Sequence, residues 1–350
     1  MSSLKTPEQL LLSLLGMQLN RGHLLSIEDI QKQFSTSPSI QHQILNKFKQ
    51  IDNFTLIKDI IIEHAPFEEI IFHSPQQITI KKPTSTLTTN LDIPSYEFNL
   101  MLEIFIFKQQ QNWSFSNPFL SITWFFQQQQ FRLSFLHSSL SIYKSHKLFI
   151  RSTPTNSLHT QHFISNTSPI ITAIEQDKNI IIAGANSSGK TTFIKTLLPH
   201  LPPTDHLIIL EDFAELQTNR TNTTHIIASE DTPNHSMQKI CSNILRMACD
   251  RFILGEIRST EIIPLFLAMN TGLKGVISTI HANSAKDTIN RLATLFALYT
   301  QADNIPYSYI LQLICQNIDM IIYLQNKTVN HIIEVKGFSD GHPLIKVVGE

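Results

Sequence analysis

The stretch Gly184-Ala185-Asn186-Ser187-Ser188-Gly189-Lys190-Thr191 decides the fold of this 350-residue chain. It has two glycines separated by four residues, with Lys and Thr directly after the second glycine. The apolar run 179–183 before it predicts a buried strand, and the apolar spacing over 191–200 predicts a helix after it. A glycine-rich loop between a strand and a helix presents backbone N–H groups to phosphate oxygens, so the stretch predicts a nucleotide site.

Each residue type in this loop has a physical role. Gly184 and Gly189 allow the backbone to turn, and the ammonium group of Lys190 can neutralise the outer phosphates. The Thr191 hydroxyl can ligate Mg²⁺, and the start of the helix adds a positive dipole end. We therefore expect ATP and Mg²⁺ as cofactors. The predicted nucleotide-binding residues of the loop are Gly184, Ala185, Asn186, Ser187, Ser188, Gly189, Lys190, Thr191 and Thr192.

Composition and charge argue against several other classes of protein. Hydrophobic residues make up 42% of the chain and charged residues 16%, which supplies a core and excludes a disordered chain. The net charge of −1 and the lack of a basic run give no support for sequence-specific nucleic-acid binding. Cys241, Cys249 and Cys315 form no C-x-x-C pair, so we expect reduced thiols in a cytosolic protein.

The leucine-rich stretch 10–15 is the most apolar part of the N-terminal region. It follows Thr6-Pro7-Glu8-Gln9, which has a capping Thr, a Pro at the first helical position and a Gln that can reach back. We therefore expect an amphipathic or buried helix, in preference to a signal-peptide core or a membrane-surface helix. No apolar run has the length that a membrane span requires.

The pattern along the chain predicts two domains with an extension and a linker. We place a helical N-terminal extension at 1–50, an α+β domain at 51–151, a polar linker at 152–168 and an alternating strand–helix domain at 169–350. Two short helices before residue 50 resemble a helix-turn-helix. Because they lack a basic face, a helical cap or docking element is the preferred interpretation.

Local spacing predicts the individual elements of the two domains. In the first domain, strands are predicted at 70–72, 77–80, 121–124, 131–135 and 147–150, and helices at 55–65 and 96–109. In the second, strands are predicted at 179–183, 206–210, 251–254, 276–280, 320–324 and 331–335, and helices at 191–200, 236–248, 261–269, 284–299 and 308–316. A turn is predicted at Asn326-Lys327.

Polar residues follow three of the strands predicted after the phosphate-binding loop. Glu211 and Glu215 follow the second strand, Glu256 follows the third, and His281 follows the fourth. Carboxyl ends of parallel strands meet at one edge, where carboxylates can hold Mg²⁺ or orient an attacking water. The predicted catalytic residues are Glu256, Glu211, Glu215, His281 and Lys190, and the predicted metal ligands are Thr191, Glu211 and Glu256. Whether Glu256 or Glu211 is the base stays open.

The chain resembles the type II/type IV secretion ATPase family, whose members are hexameric RecA-like motors. The segment 211–216 resembles the family's aspartate box, and 245–258 resembles its Walker B segment. The segment 271–284 resembles its histidine box, with Arg291 following. The form His281-Ala282-Asn283 is typical of the conjugation and type IV secretion branch, with tight-adherence pilus motors as a sibling branch.

The resemblance implies an α/β fold with a C-terminal RecA-like P-loop ATPase domain and an N-terminal α+β domain. It implies hydrolysis of ATP to ADP and phosphate by a homohexamer, with the nucleotide held between the two domains. Arg132 and Arg151 of the N-terminal domain would reach that nucleotide. The implied location is the cytoplasm with peripheral attachment to the inner membrane, and the implied partners are inner-membrane components of a secretion or conjugation complex.

The chain shows three departures from the family pattern. Asn186-Ser187 stands where Thr-Gly is usual, Leu273 replaces the first histidine of the histidine box, and Cys249 replaces a Pro. We expect an active enzyme. A serine at position 187 is tolerated in the loop if its φ stays negative. The departures leave an alternative open, a nucleotide-binding scaffold with little turnover. A RecA-like nucleic-acid motor is a further alternative, against which the near-neutral charge argues.

Overall fold

The computed structural model describes residues 6–34, 37–142, 144–153, 158–229, 233–300 and 305–349. The chain divides into two compact units, Met1–Thr155 and Asn156–Glu350. Among the helices in the described ranges, none combines the length and apolarity needed to cross a membrane.

The first unit is an α+β arrangement in which helices cover one face of an antiparallel sheet. Its helices are α1 (Pro7–Leu19), α2 (Ile27–Gln33), α3 (Pro38–Asp52), α4 (Thr55–His64) and α5 (Ser95–Lys108), and its strands are β1 (Glu69–Ser74), β2 (Gln77–Lys81), β3 (Thr86–Thr89), β4 (Phe119–Phe126), β5 (Gln129–Leu136) and β6 (Lys147–Ser152). The strand order is β3-β2-β1-β6-β5-β4. Alternate side chains of β5, Phe131, Leu133 and Phe135, enter the core.

Helices α1, α2 and α3, which lie in the predicted helical extension, pack in this core. Helix α1 begins with the predicted capping box: Thr6 Oγ1 accepts from the Gln9 N–H at 3.3 Å, and Gln9 Oε1 accepts from the Thr6 N–H at 3.0 Å. Leu11 of α1 and Phe48 of α3 pack in the same cluster as Phe98 of α5. The spacing of leucines predicts the helix, but not the surface that the helix covers.

The second unit is a mixed sheet with helices on both faces, as the phosphate-binding loop predicts. Its helices are α6 (Ser168–Glu175), α7 (Lys190–Leu197), α8 (Met237–Cys241), α9 (Ile262–Asn270), α10 (Ala285–Tyr299) and α11 (Tyr307–Asn317), and its strands are β7 (Ile180–Gly184), β8 (Leu207–Glu211), β9 (Thr223–Ile227), β10 (Arg251–Leu254), β11 (Ile277–Ile280), β12 (Met320–Gln325), β13 (Thr328–Ser339) and β14 (His342–Gly349).

The strand order in this sheet is β14-β13-β12-β7-β11-β10-β8-β9. Strands β9, β8, β10, β11, β7 and β12 run parallel, and β13 and β14 are antiparallel to their neighbours. Ile181 and Ala183 of β7 enter the core on one face, while Ile180 and Ile182 enter the core on the other. Burial on both faces explains the uninterrupted apolar run of this strand.

Two predicted segments differ from the structure. The helix predicted over 236–248 ends at Cys241. The Asn243 side-chain amide donates to the Lys239 carbonyl oxygen, and the Asn243 N–H bonds instead to Ile240, three residues back. The predicted linker 152–168 contains Phe163, which is 5% exposed and packs in the core of the second unit. The described residues 158–168 of that segment therefore belong to the second unit.

Candidate functional site

The loop after β7 requires glycine at both of its glycine positions. Gly184 has a φ of +156°, and a Cβ atom there would lie 2.5 Å from the carbonyl oxygen of Leu324. Leu324 is brought there because β12 pairs with β7. Gly189 has a φ of +96°, and its Cβ atom would lie 3.2 Å from the Phe163 ring. The close backbone contact at Gly184 and the positive φ of both glycines therefore determine the shape of the loop.

Ser187 has a φ of +59°, so the condition of a negative φ, under which a serine fits the loop without strain, is not met. The position adopts the left-handed conformation that glycine takes without strain, while a serine Cβ costs roughly 1–2 kcal/mol there. The loop therefore keeps the backbone path that a glycine would take, at the expense of local strain. The family pattern marks this position, because glycine is usual where Ser187 stands.

Lys190 is buried, with 7% of its surface exposed. Its ammonium group donates to the carbonyl oxygens of Gly184 at 3.0 Å and Ala185 at 2.9 Å, and to Nδ1 of His281 at 3.1 Å. The same Nδ1 lies 3.3 Å from the Gly184 oxygen, where it would have to donate. Because the ammonium can only donate and lies closer, we assign the lone pair to Nδ1 and the ring proton to Nε2.

A chain of polar contacts continues from His281 to the aspartate box. His281 Nε2 lies 2.6 Å from Glu256 Oε1. The second Glu256 oxygen accepts from Arg258 Nε, and Arg258 Nη1 lies 2.5 Å from Asp212 Oδ2. Lys190, His281, Glu256, Arg258 and Asp212 therefore form one connected path across the carboxyl ends of β7, β11, β10 and β8.

Glu211 lies outside this path. Its side chain is 3% exposed, and its two oxygens accept from the Leu216 N–H at 3.2 and 3.0 Å. His225 Nε2 lies 2.8 Å from Glu211 Oε2. Burial raises the pKa of the Glu211 carboxyl, although these hydrogen bonds oppose the rise. The contacts favour a structural role, in which Glu211 holds the loop after β8.

Glu215, also predicted as catalytic, is half-buried on that loop. Burial lowers the pKa of the Lys195 ammonium in α7, and the negative charges of Glu215 and Glu211 oppose the change. Glu215 therefore acts on Lys195 through its charge, as Glu211 does.

Two buried polar atoms test whether a nucleotide with Mg²⁺ fits the loop. Within the described part of the chain, Ser188 Oγ and Glu256 Oε1 are buried and have no hydrogen-bond partner of regular geometry. His281 Nε2 lies close to Glu256 Oε1, but the angle at the ring N–H is too bent for a regular hydrogen bond. Thr191 and Thr192 are half-buried at the start of α7. Unpaired buried acceptors beside a lysine and a helix start fit a phosphate group and its cation.

Arg132 and Arg151 lie in the first unit, on adjacent strands. Arg132 of β5 pairs directly with Arg151 of β6, so the two side chains share one face of the sheet. Arg132 is half-buried and Arg151 is exposed. The structure thus brings the two arginines together, and their contact with a nucleotide stays a prediction.

A cluster that we did not predict, Glu103 with His137 and His146, also lies in the first unit, and its ligand atoms lie within 4.8 Å of one another. The Ser138 N–H donates to His146 Nδ1 at 2.8 Å, and the Ser139 N–H donates to His137 Nδ1 at 3.1 Å. Each ring therefore keeps its proton on Nε2, whereas a metal-bound imidazole donates through its other nitrogen. The cluster does not fit a metal and ties α5 to the loop between β5 and β6.

Three residues of the site had no assigned role in our sequence analysis: Asp212, His225 and Arg258. Asp212 and Arg258 lie next to predicted residues, and their pairing depends on the order of β8 and β10 in the sheet. His225 lies on β9, an edge strand whose exposed residues carry no apolar pattern. Only the fold brings these side chains to Glu256 and Glu211.

The fold and this site define a P-loop nucleotide-binding domain of the RecA-like class. The structure is similar to that of the pilus retraction motor PilT with bound ADP, with a TM-score of 0.58, 17% identity and coverage of 83% of this chain and 80% of that one. The sequence profile described as "Type II/IV secretion system protein" matches residues 127–338, and the chain belongs to that family.

Curated relatives point to one branch of the family. The conjugal transfer protein TrbB of Rhizobium radiobacter is 30% identical over 185 residues, which cover 51% of this chain and 54% of TrbB. The type IV secretion system protein PtlH of Bordetella pertussis is 31% identical over 160 residues, which cover 44% of this chain and 47% of PtlH. The chain spans about half the length of the curated relatives it matches.

Proposed function

We propose that this chain is an ATPase that hydrolyses ATP to ADP and phosphate for a type IV secretion or conjugation apparatus. The observation that carries the proposal is the contact path from Lys190 through His281 to Glu256. An ammonium group, an imidazole ring and a carboxylate at the carboxyl ends of parallel strands support the proposal, because phosphoryl transfer uses such groups to bind phosphate and to orient the attacking water. The names of the curated relatives support the choice of apparatus.

The residues divide the chemistry between them. Lys190 and the backbone N–H groups of the loop bind the β- and γ-phosphates, and Thr191 with Glu256 would hold Mg²⁺. When bound, Mg²⁺ supplies positive charge that offsets charge on the phosphates. Glu256 orients the attacking water and accepts its proton, since Oε1 is buried without a regular hydrogen-bond partner among the described residues. We assign Glu211 to the support of the loop.

We further propose that the chain works as a homohexamer in the cytoplasm, attached peripherally to inner-membrane components of the complex. The support is the family membership and the names of the relatives. Arg132 and Arg151 would complete nucleotide binding through their adjacent charges. A motor for tight-adherence pilus assembly, the sibling branch of the family, is the alternative to a secretion or conjugation motor.

Two measurements test the proposed activity. Phosphate release is measured at saturating MgATP for the parent chain and for Lys190→Ala, together with binding of a fluorescent ADP analogue. We expect turnover by the parent, and a loss of both binding and turnover of at least about tenfold in Lys190→Ala because the phosphates lose their cation. Equal binding and turnover in the two proteins would contradict the site.

A second candidate function is a nucleotide-binding scaffold with little turnover. The strained φ of Ser187 favours it, because strain in the loop can weaken the geometry that turnover requires. A parent chain that binds the ADP analogue but releases no phosphate above background would select the scaffold.

A further inference from the structure

Arg258 makes two sets of contacts beside the proposed catalytic carboxylate of Glu256, one through its backbone and one through its side chain. Its backbone N–H donates to Glu261 Oε1, and the next residue, Ser259, donates to the same carboxylate through its N–H and its hydroxyl, both at 2.7 Å. Glu261 is 2% exposed at the start of α9. A buried carboxylate therefore fixes the backbone from which the Arg258 side chain extends.

The Arg258 guanidinium joins two acidic residues from different strands. Nε contacts Glu256 Oε2, and Nη1 lies 2.5 Å from Asp212 Oδ2. Burial disfavours the charged guanidinium, but the charges of Asp212 and Glu256 outweigh it and raise the pKa of Arg258. The planar fork of an arginine can serve both carboxylates at fixed angles, which a lysine cannot.

The contacts of the Arg258 guanidinium restrict the orientation of the Glu256 carboxylate. Its side chain is 12% exposed, and each oxygen has one neighbour, Arg258 at Oε2 and His281 at Oε1. Without Arg258 the carboxylate would be free to rotate about its terminal bond, since torsions of this kind are broad. Arg258 therefore fixes the plane of the Glu256 carboxylate, with one oxygen held by the guanidinium and the other directed at His281.

We propose that Arg258 is a positioning residue that orients Glu256 for turnover and links it to Asp212 on the loop after β8. The inference rests on the proposed ATPase function and adds to it a residue that acts through Glu256 and leaves nucleotide binding to the phosphate-binding loop. The side chain of Arg258 is 51% exposed, so its ion pairs contribute little to the free energy of unfolding. Its removal should change the rate while the fold persists.

The test compares Arg258→Gln, Arg258→Lys and Asp212→Asn with the parent, and uses Arg21→Gln, an exposed arginine of the first unit, as the matched control. Phosphate release gives kcat and KM, a fluorescent ADP analogue gives Kd, and circular dichroism gives the thermal midpoint. We expect Arg258→Gln to lower kcat about tenfold or more with KM and Kd within about twofold, as loss of outer supporting groups does elsewhere.

The remaining variants sharpen the assignment. Arg258→Lys should recover part of kcat, because one carboxylate contact survives. Asp212→Asn should lower kcat less than Arg258→Gln, and the double variant should match Arg258→Gln alone, because both changes break one path. If Arg258→Gln fails to fold, a lower kcat in Asp212→Asn with unchanged KM and Kd is the result expected from the positioning role of Arg258.

Turnover by the parent tests the proposed ATPase function. The ratio of the kcat of Arg258→Gln to the kcat of the parent tests the role of Arg258. A kcat for Arg258→Gln within about twofold of an active parent would overturn the inference while leaving the ATPase assignment intact. A rise in Kd as large as the fall in kcat would also overturn it, since Arg258 would then act in binding.

Discussion

The ammonium nitrogen of Lys190 lies 3.1 Å from Nδ1 of His281, across the carboxyl ends of the neighbouring strands β7 and β11. This contact fixes the ring proton on Nε2, which faces Glu256. His281 is therefore the link between the phosphate-binding loop and the Walker B segment. With Leu273 in place of the first histidine of the histidine box, this role falls on one ring.

His281→Gln should lower kcat for ATP hydrolysis by about tenfold or more, because the glutamine amide cannot hold Glu256 and accept from Lys190 in the same geometry. Binding of the ADP analogue should change by less than about threefold. His23→Gln, at an exposed histidine of the first unit, is the matched control. Parallel losses of binding and turnover would show that His281 serves binding alone.

Ser187→Gly should raise the stability of the second unit by about 0.5–1 kcal/mol, because removal of the Cβ relieves strain that exceeds the added chain entropy. Ala185→Gly in the same loop is the control, since Ala185 is exposed, does not share the positive φ and should lose stability. Thermal denaturation of the two variants measures the difference. If Ser187→Gly destabilised as much as Ala185→Gly, the left-handed conformation of Ser187 would be wrong.

Glu211→Ala should lower the thermal midpoint, because the Leu216 N–H and His225 lose their acceptor in a buried setting, at about 1–3 kcal/mol for an unsatisfied group. Glu256→Gln should leave the midpoint close to that of the parent. Circular dichroism on heating compares the two. A Glu211→Ala variant with a normal midpoint and no phosphate release would make Glu211 the base and remove Glu256 from that role.

The three cysteines should be unreactive in the native protein. Burial raises the pKa of the Cys249 thiol to about 12 and that of Cys315 to about 11, and it raises the pKa of Cys241 as well. Since the thiolate is the nucleophile, labelling by a maleimide at neutral pH should be at least about tenfold slower than in denaturant. Fast labelling of one thiol in the folded chain would contradict the burial of that residue.

The sequence predicts the parts of the fold whose residues carry a strong local signal. Buried strands such as β7 have uninterrupted apolar runs, and the turn at Asn326-Lys327 has positive φ at both residues, which fits the predicted turn. The strands that we did not predict, β3, β9 and β14, all lie at sheet edges, where exposed side chains give no clear pattern. Edge strands owe their conformation to pairing with a neighbour.

In the site, too, local motifs identify some residues, while the roles of others depend on contacts with residues far away in the sequence. The loop motif identifies Lys190, and strand ends identify Glu256 and His281. The sequence does not separate Glu211 from Glu256, because both glutamates follow buried strands. The difference comes from the residues that reach them: His225 and the Leu216 N–H occupy Glu211, while Arg258 and His281 flank Glu256.

The most direct test of the account is steady-state phosphate release by the parent chain and by Glu256→Gln at saturating MgATP, with ADP-analogue binding measured on both. We expect turnover by the parent, a loss of about a hundredfold or more in Glu256→Gln, and equal binding by the two proteins. Equal phosphate release by both proteins, whether fast or at background, would contradict the assignment of Glu256 as the carboxylate that drives hydrolysis.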